Sequence, residues 1–148
     1  MASPRFTACG MPYWADIQNQ VLHPPTWLFS VLDPTVAAVA YLALLAAVAC
    51  AGMTLALKRT GVGLTAAVCA GLAWSLSSWL MGHHIHLTFM AAAAWAPWTW
   101  WACFGVLAGA PSPRDHALLA GSVALWIAAG SVDLLLILGV GGAVVLTG

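Results

Sequence analysis

Charge is what this chain has least of. Four Lys+Arg and four Asp+Glu are spread over 148 residues, 5% charged in all, against 63% hydrophobic. A soluble domain typically carries roughly a quarter charged residues, so this set cannot coat a globule in water. Net charge is zero, which excludes the electrostatic footprint of a nucleic-acid binder and any basic arm. Polar, aromatic-poor composition is missing too, and with it the signature of disorder. Also absent are a P-loop, a nucleophile elbow and a haem-attachment motif. The string Gly139-Val140-Gly141-Gly142 lies in an apolar run without strand-helix context, so it is no nucleotide loop. No lipobox surrounds Cys9, because no apolar signal region precedes it. A mean hydropathy of +0.95 marks an integral membrane protein.

What is present falls into runs that can be measured against a bilayer. About 20 mostly apolar residues are needed for a helix to cross roughly 30 Å of hydrocarbon. Uncharged stretches of this kind cover residues 35–57, 62–81 and 87–107. From Ala117 onward the chain is apolar again except for Asp133, which reads as a fourth span over 117–131 and a partial fifth over 134–148. Period-two alternation is lacking, so a barrel is excluded. The expected fold is all-α: a polytopic transmembrane helical bundle of four spans plus a partial fifth. Residues 1–34 form a separate loop region ahead of it.

Helix signals bound these runs. Asp33-Pro34 has the form of an N-cap followed by proline at the first helical position. Ser112-Pro113-Arg114-Asp115 has the form of a capping box. Lys58, Arg59 and Arg114 fall in the two loops joining spans one to two and three to four, which the positive-inside rule assigns to the cytoplasm, with Arg5 dissenting. Four of the five histidines and two acids then collect on the exoplasmic face: Asp16 and His23 before the first span, His83, His84 and His86 after the second, and Asp133 at the end of the fourth.

Each of these residues has a plain and a sharp reading. His83-His84-Ile85-His86 is either an interfacial turn facing water and headgroups or a polar functional cluster. True metal ligation is the least favoured reading, because only His83 and His86 have helical ligand spacing. Asp16 lies in a segment whose Trp14, Ile17, Val21, Leu22, Trp27 and Leu28 can form the apolar side of an interfacial amphipathic helix. It is either a solvated position there or a carboxylate placed to take a proton or hold a divalent cation. Asp133 faces a bundle interior, or a break at Gly130-Ser131 brings it to the interface. Trp95, Trp98, Trp100 and Trp101 surround Pro97 and read as packing around a proline kink, with an apolar cavity for a lipid tail or pigment as the alternative. Cys50, Cys69 and Cys103 are small packing residues in apolar spans.

Several stretches together resemble a known family. Gly10-Met11-Pro12, Ala15-Asp16-Ile17-Gln18 and His23-Pro24-Pro25-Thr26 are similar to the first exoplasmic loop of the YfhO-like bacterial membrane proteins, a branch of the GT-C-type glycosyltransferases. Residues 70–98, with the histidine turn and Ala94-Trp95-Ala96-Pro97-Trp98, resemble its following helices. Ala128-Ala129-Gly130-Ser131-Val132-Asp133 stands where the family often has Ala-Gly-His-Pro-Glu, with Ser131 and Val132 departing from it. The resemblance covers residues 9–135 in order.

It implies transfer of a sugar from a polyprenyl-phosphate carrier to an acceptor at the exoplasmic face of a bacterial inner membrane. Asp16 would serve as base or partner of a divalent cation, with His84, His86 and Asp133 as substrate contacts. Family members begin with one more helix and continue for many spans. The expectation is therefore a fragment or reduced relative, inactive in isolation. The competing expectation is a small non-enzymatic membrane subunit that packs against other membrane subunits, and binds lipid, haem or pigment.

Overall fold

In the computed structural model, residues 20–78, 82, 86–107 and 112–130 are described. Every regular element among them is helical. A 3-10 turn, Pro24–Trp27, runs into a single helical turn α1, Leu28–Val31. Four longer helices follow: α2 Pro34–Arg59, α3 Leu64–Ser75, α4 Leu87–Leu107 and α5 Pro113–Ala128.

Both helix starts read from sequence are built as expected. Asp33 caps α2, its carboxylate accepting from Thr35 N at 3.0 Å, with Pro34 in the first turn where its missing N–H is harmless. Ser112 and Asp115 form a reciprocal capping box on α5. Helix α2 ends at a turn in which Gly61, at φ 89°, supplies the left-handed residue. The amides of Gly61 and Val62 then reach back to Lys58 O and Leu57 O. Gly130, at φ 84°, follows the end of α5 in the same way.

Helix α2 is the centre of the bundle. It packs on α3 and on α4, and α4 packs in turn on α5. Its buried seam is Ala37, Tyr41, Leu45, Ala49, Gly52 and Ala56, residues three and four apart that share one face. The seam of α3 is smaller still: Ala67, Gly71 and Ser75. On α4, Ala91 to Ala94 and Ala96 are fully buried. Small side chains on facing helices let backbones approach closely. Pro97 sits inside α4, and the helix runs through it from Leu87 to Leu107.

The outward surface is apolar. Val36, Val39 and Leu44 on α2, Leu64 and Leu72 on α3 and Ile127 on α5 are exposed, while Gln20, His23, Ser75, Thr99 and Ser122 are buried. The interior is apolar as well, mainly alanine with Tyr41, Leu45, Met90 and Trp126.

The expected spans are met in part. Among the described residues only α2, with a mean hydropathy of 2.3 over its best window, is long and apolar enough to cross a membrane. Helix α4 has the 87–107 limits expected, but its tryptophans dilute its hydropathy. Helix α3 stops at Ser75 after 12 residues, short of the expected 62–81, and α5 has 16. Four spans are thus not established. The expected fifth lies outside the described residues. The described part of the first loop is also not one amphipathic helix: residues 20–23 form a turn ahead of the 3-10 turn, and α1 has four residues.

Candidate functional site

Two polar clusters stand at opposite ends of the bundle. The first is built on His23. Pro24 follows it, which disfavours helical backbone at His23, and its φ of −88° and ψ of 110° are extended. The turn before it is closed by His23 N donating to Gln20 O at 2.9 Å, with Gln20 itself at φ 51°. The Thr26 hydroxyl contacts both Gln20 O, at 2.9 Å, and His23 O, at 2.6 Å. This local wrapping turns the Gln20 and His23 side chains into the bundle, where they are 4% and 0% exposed.

There the side chains form a directed chain of hydrogen bonds. Trp95 Nε1, which can only donate, gives its proton to His23 Nε2 at 2.9 Å. That fixes the tautomer: His23 carries its proton on Nδ1, which faces the Tyr41 hydroxyl at 3.5 Å. Tyr41 donates onward to Gln20 Oε1 at 3.0 Å, and Gln20 Nε2 to Ala129 O at 2.7 Å. The loop is thereby tied to α2, α4 and the end of α5 at once. A protonated imidazole would aim a second N–H at the Trp95 donor. Burial alone already pushes the His23 pKa down to about 4, so the ring is neutral at pH 7. Every member is committed to another protein group, which makes this cluster a fastening.

The second cluster is at the other end. Arg59 Nη2 donates to Asp115 Oδ1 at 2.6 Å and Nη1 to Trp101 O at 3.2 Å. Its guanidinium carbon stands 5.6 Å from the centre of the Trp101 ring. Asp115 Oδ2 accepts from the Ser112 hydroxyl at 2.7 Å and from Ser112 N at 3.1 Å. The Ser112 hydroxyl, then Arg59, hold the Asp115 carboxyl below the usual carboxylate range. Gly105 makes room for this pair, because a Cβ there would overlap both the Arg59 guanidinium and the Asp115 carboxylate. Replacing Gly105 with alanine is expected to lower the thermal midpoint by as much as Arg59→Gln does. The double variant should be no worse than either single one. Additive losses would separate the two residues.

The residues singled out from sequence fare unevenly. Asp16, His84 and Asp133 lie outside the described residues. His86 is exposed ahead of α4, with its ring edge-on to Phe89 at 5.7 Å. Among the described residues no group of three or more His, Cys, Asp or Glu could hold a metal ion. Sequence reasoning placed His23 with the other exoplasmic histidines and did not expect its burial; the adjoining Pro24-Pro25, which favours extended backbone at His23, was the available signal. It also read Asp115 as a cap only and missed its ion pair.

No family model, curated protein or solved structure matches the chain.

Proposed function

We propose that this protein is a small non-enzymatic membrane subunit: a four-span helical bundle that packs laterally in a bilayer. The observation that carries this reading is the apolar outer surface of the helices, with the buried Gln20, His23 and Tyr41 groups satisfied by one another and by the backbone. Lateral partners would meet α2 and α3, whose outer faces carry Val39, Leu64 and Leu72, all exposed. The Arg59–Asp115 contact supports one common side for the two basic loops, and we assign that side to the cytoplasm of a bacterial inner membrane.

Two measurements test the reading. Alkaline carbonate should leave the protein in the membrane pellet; its release would sink the proposal. In a background without the four native cysteines, Leu22→Cys should react with an impermeant maleimide in intact cells. Gly63→Cys, where an added Cβ meets open space, should react only after permeabilisation. Labelling of both in intact cells would refute the four-span topology.

The transferase reading keeps one supporting observation. Gln20 and Ala129, which neighbour Asp16 and Asp133 in sequence, are bonded to each other at the end of the bundle away from Arg59. On that reading Asp16→Asn abolishes turnover of a polyprenyl-phosphate sugar by the longer protein. Turnover unaffected by that change excludes Asp16 as the base.

A further inference from the structure

The Arg59 end of the bundle carries more positive charge than its own fold uses. Lys58, Arg59 and Arg114 are gathered there with Asp115, three cations against one acid. Arg59 is committed to Asp115 and to the Trp101 carbonyl. Lys58 and Arg114 form no ion pair with any described residue, and the other described acid, Asp33, caps the far end of α2. All three cations line one open cleft of about 480 Å³.

That cleft does not end at the charges. Trp101 and Leu118 form part of its wall and also part of the wall of a second cavity, of about 200 Å³, between α4 and α5. The second cavity runs from Leu118 to Leu125 along α5, about 10 Å at 1.5 Å per residue, and is floored by Trp95, Trp98 and Gly121. Three of its polar groups are already occupied. Trp95 Nε1 is given to His23 and Trp98 Nε1 to Val48 O at 2.9 Å, while the Ser122 hydroxyl donates to Leu119 O at 3.0 Å. What faces the groove is therefore mainly hydrocarbon and ring surface. A basic cleft at a helix end, opening into an apolar groove that follows the helix axis, has the polarity of a lipid lying along a membrane protein.

We propose that this composite site binds one anionic glycerophospholipid, its phosphate between Lys58 and Arg114 and one acyl chain in the Trp98–Gly121 groove. Charge selects the headgroup. Two cations left over beside a headgroup-level cleft favour a lipid of net negative charge over a zwitterionic one. The groove selects an acylated ligand over a free phosphate, which would use only the cleft. The inference rests on the membrane reading and adds a ligand to it.

Native mass spectrometry of the full chain in detergent tests it, using phosphatidylglycerol and phosphatidylcholine with the same acyl chains. The wild-type protein should retain one phosphatidylglycerol about tenfold more tightly than phosphatidylcholine. Lys58→Gln with Arg114→Gln should abolish that preference. Gly121→Leu should fill the groove and weaken phosphatidylglycerol binding by a similar factor. An added Cβ at Gly121 meets nothing within 4 Å, so this variant should keep its thermal midpoint. Equal retention of the two lipids by the wild-type protein, a preference that survives the Lys58→Gln with Arg114→Gln change, or phosphatidylglycerol binding unaltered by Gly121→Leu overturns the proposal. So does displacement of the lipid by equimolar inorganic phosphate. Release from the membrane by carbonate would instead count against the membrane reading, so the two failures are distinguishable.

Discussion

Acidification from pH 7 to pH 4 is expected to remove about 3 kcal/mol of stability through His23 alone. In the unfolded chain the imidazole takes up a proton near pH 6.5, whereas in the folded protein burial holds its pKa down to about 4. The unfolded state therefore binds more protons throughout that interval. Stability is fully present above pH 6.5 and declines as pH falls towards 4. Below that both states are protonated and the contribution is gone. The Asp115 contribution falls away only at still lower pH, because its carboxyl is held below the usual range. Thermal unfolding in detergent across pH 4 to 8 reads the effect directly. His23→Gln should flatten the slope, since the amide does not titrate but can still accept from Trp95. His23→Ala should flatten it and also lower the midpoint at pH 7. It leaves Trp95 Nε1 without its acceptor, at about 1–3 kcal/mol, while the Tyr41 hydroxyl keeps Gln20 Oε1. A slope between pH 6.5 and 4 that persists in both variants would assign it to another group.

The distance between partners explains why this network was not legible beforehand, although much of the bundle was. Hydropathy runs and local cap signals found α2 and α4 to within two residues, because Asp33-Pro34 and the apolar stretches are properties of contiguous sequence. They overshot α3, which ends at Ser75 in a stretch that still counts as apolar. The fastening depends on separations of 18 residues between His23 and Tyr41, 72 to Trp95, and 109 between Gln20 and Ala129. Within a run, Tyr41 and Trp95 look like ordinary filler. Asp115 was misjudged for a related reason: its local capping role was sufficient, so its second oxygen, on Arg59 across the bundle, was not sought. The resemblance drew attention to Asp16 and His84, whereas the polar chemistry at this end of the described bundle is carried by Gln20 and His23. The sites that patterning sees poorly are those whose partners belong to different helices.

The same logic places the largest packing effect at the glycines between helices. Gly71 faces α2 so closely that an ideal Cβ would stand 2.7 Å from the carbonyl oxygen of Cys50 and 2.5 Å from the Thr54 hydroxyl. The first of these is backbone and cannot rotate away. Thr54 is meanwhile bound to Cys50 O at 2.8 Å, so the groove that receives Gly71 is already full. Gly71→Leu must therefore push α3 off α2, and the loss of van der Waals contact along Ala67, Gly71 and Ser75 is expected to destabilise the bundle by about 3 kcal/mol. Gly52, on the α4 side of α2, offers a graded comparison. Its Cβ would meet the Trp98 ring at 2.6 Å and Pro97 Cβ at 3.2 Å, and a side chain can shift where a carbonyl cannot. Gly52→Ala should therefore be milder, but it should displace Trp98 from Val48 O and change the tryptophan emission. Equal midpoints for wild type and Gly71→Leu would show that α3 is not fastened to α2 at this crossing. If the ranking holds, closeness of backbone approach at α2, and not apolar area, sets the stability of this bundle.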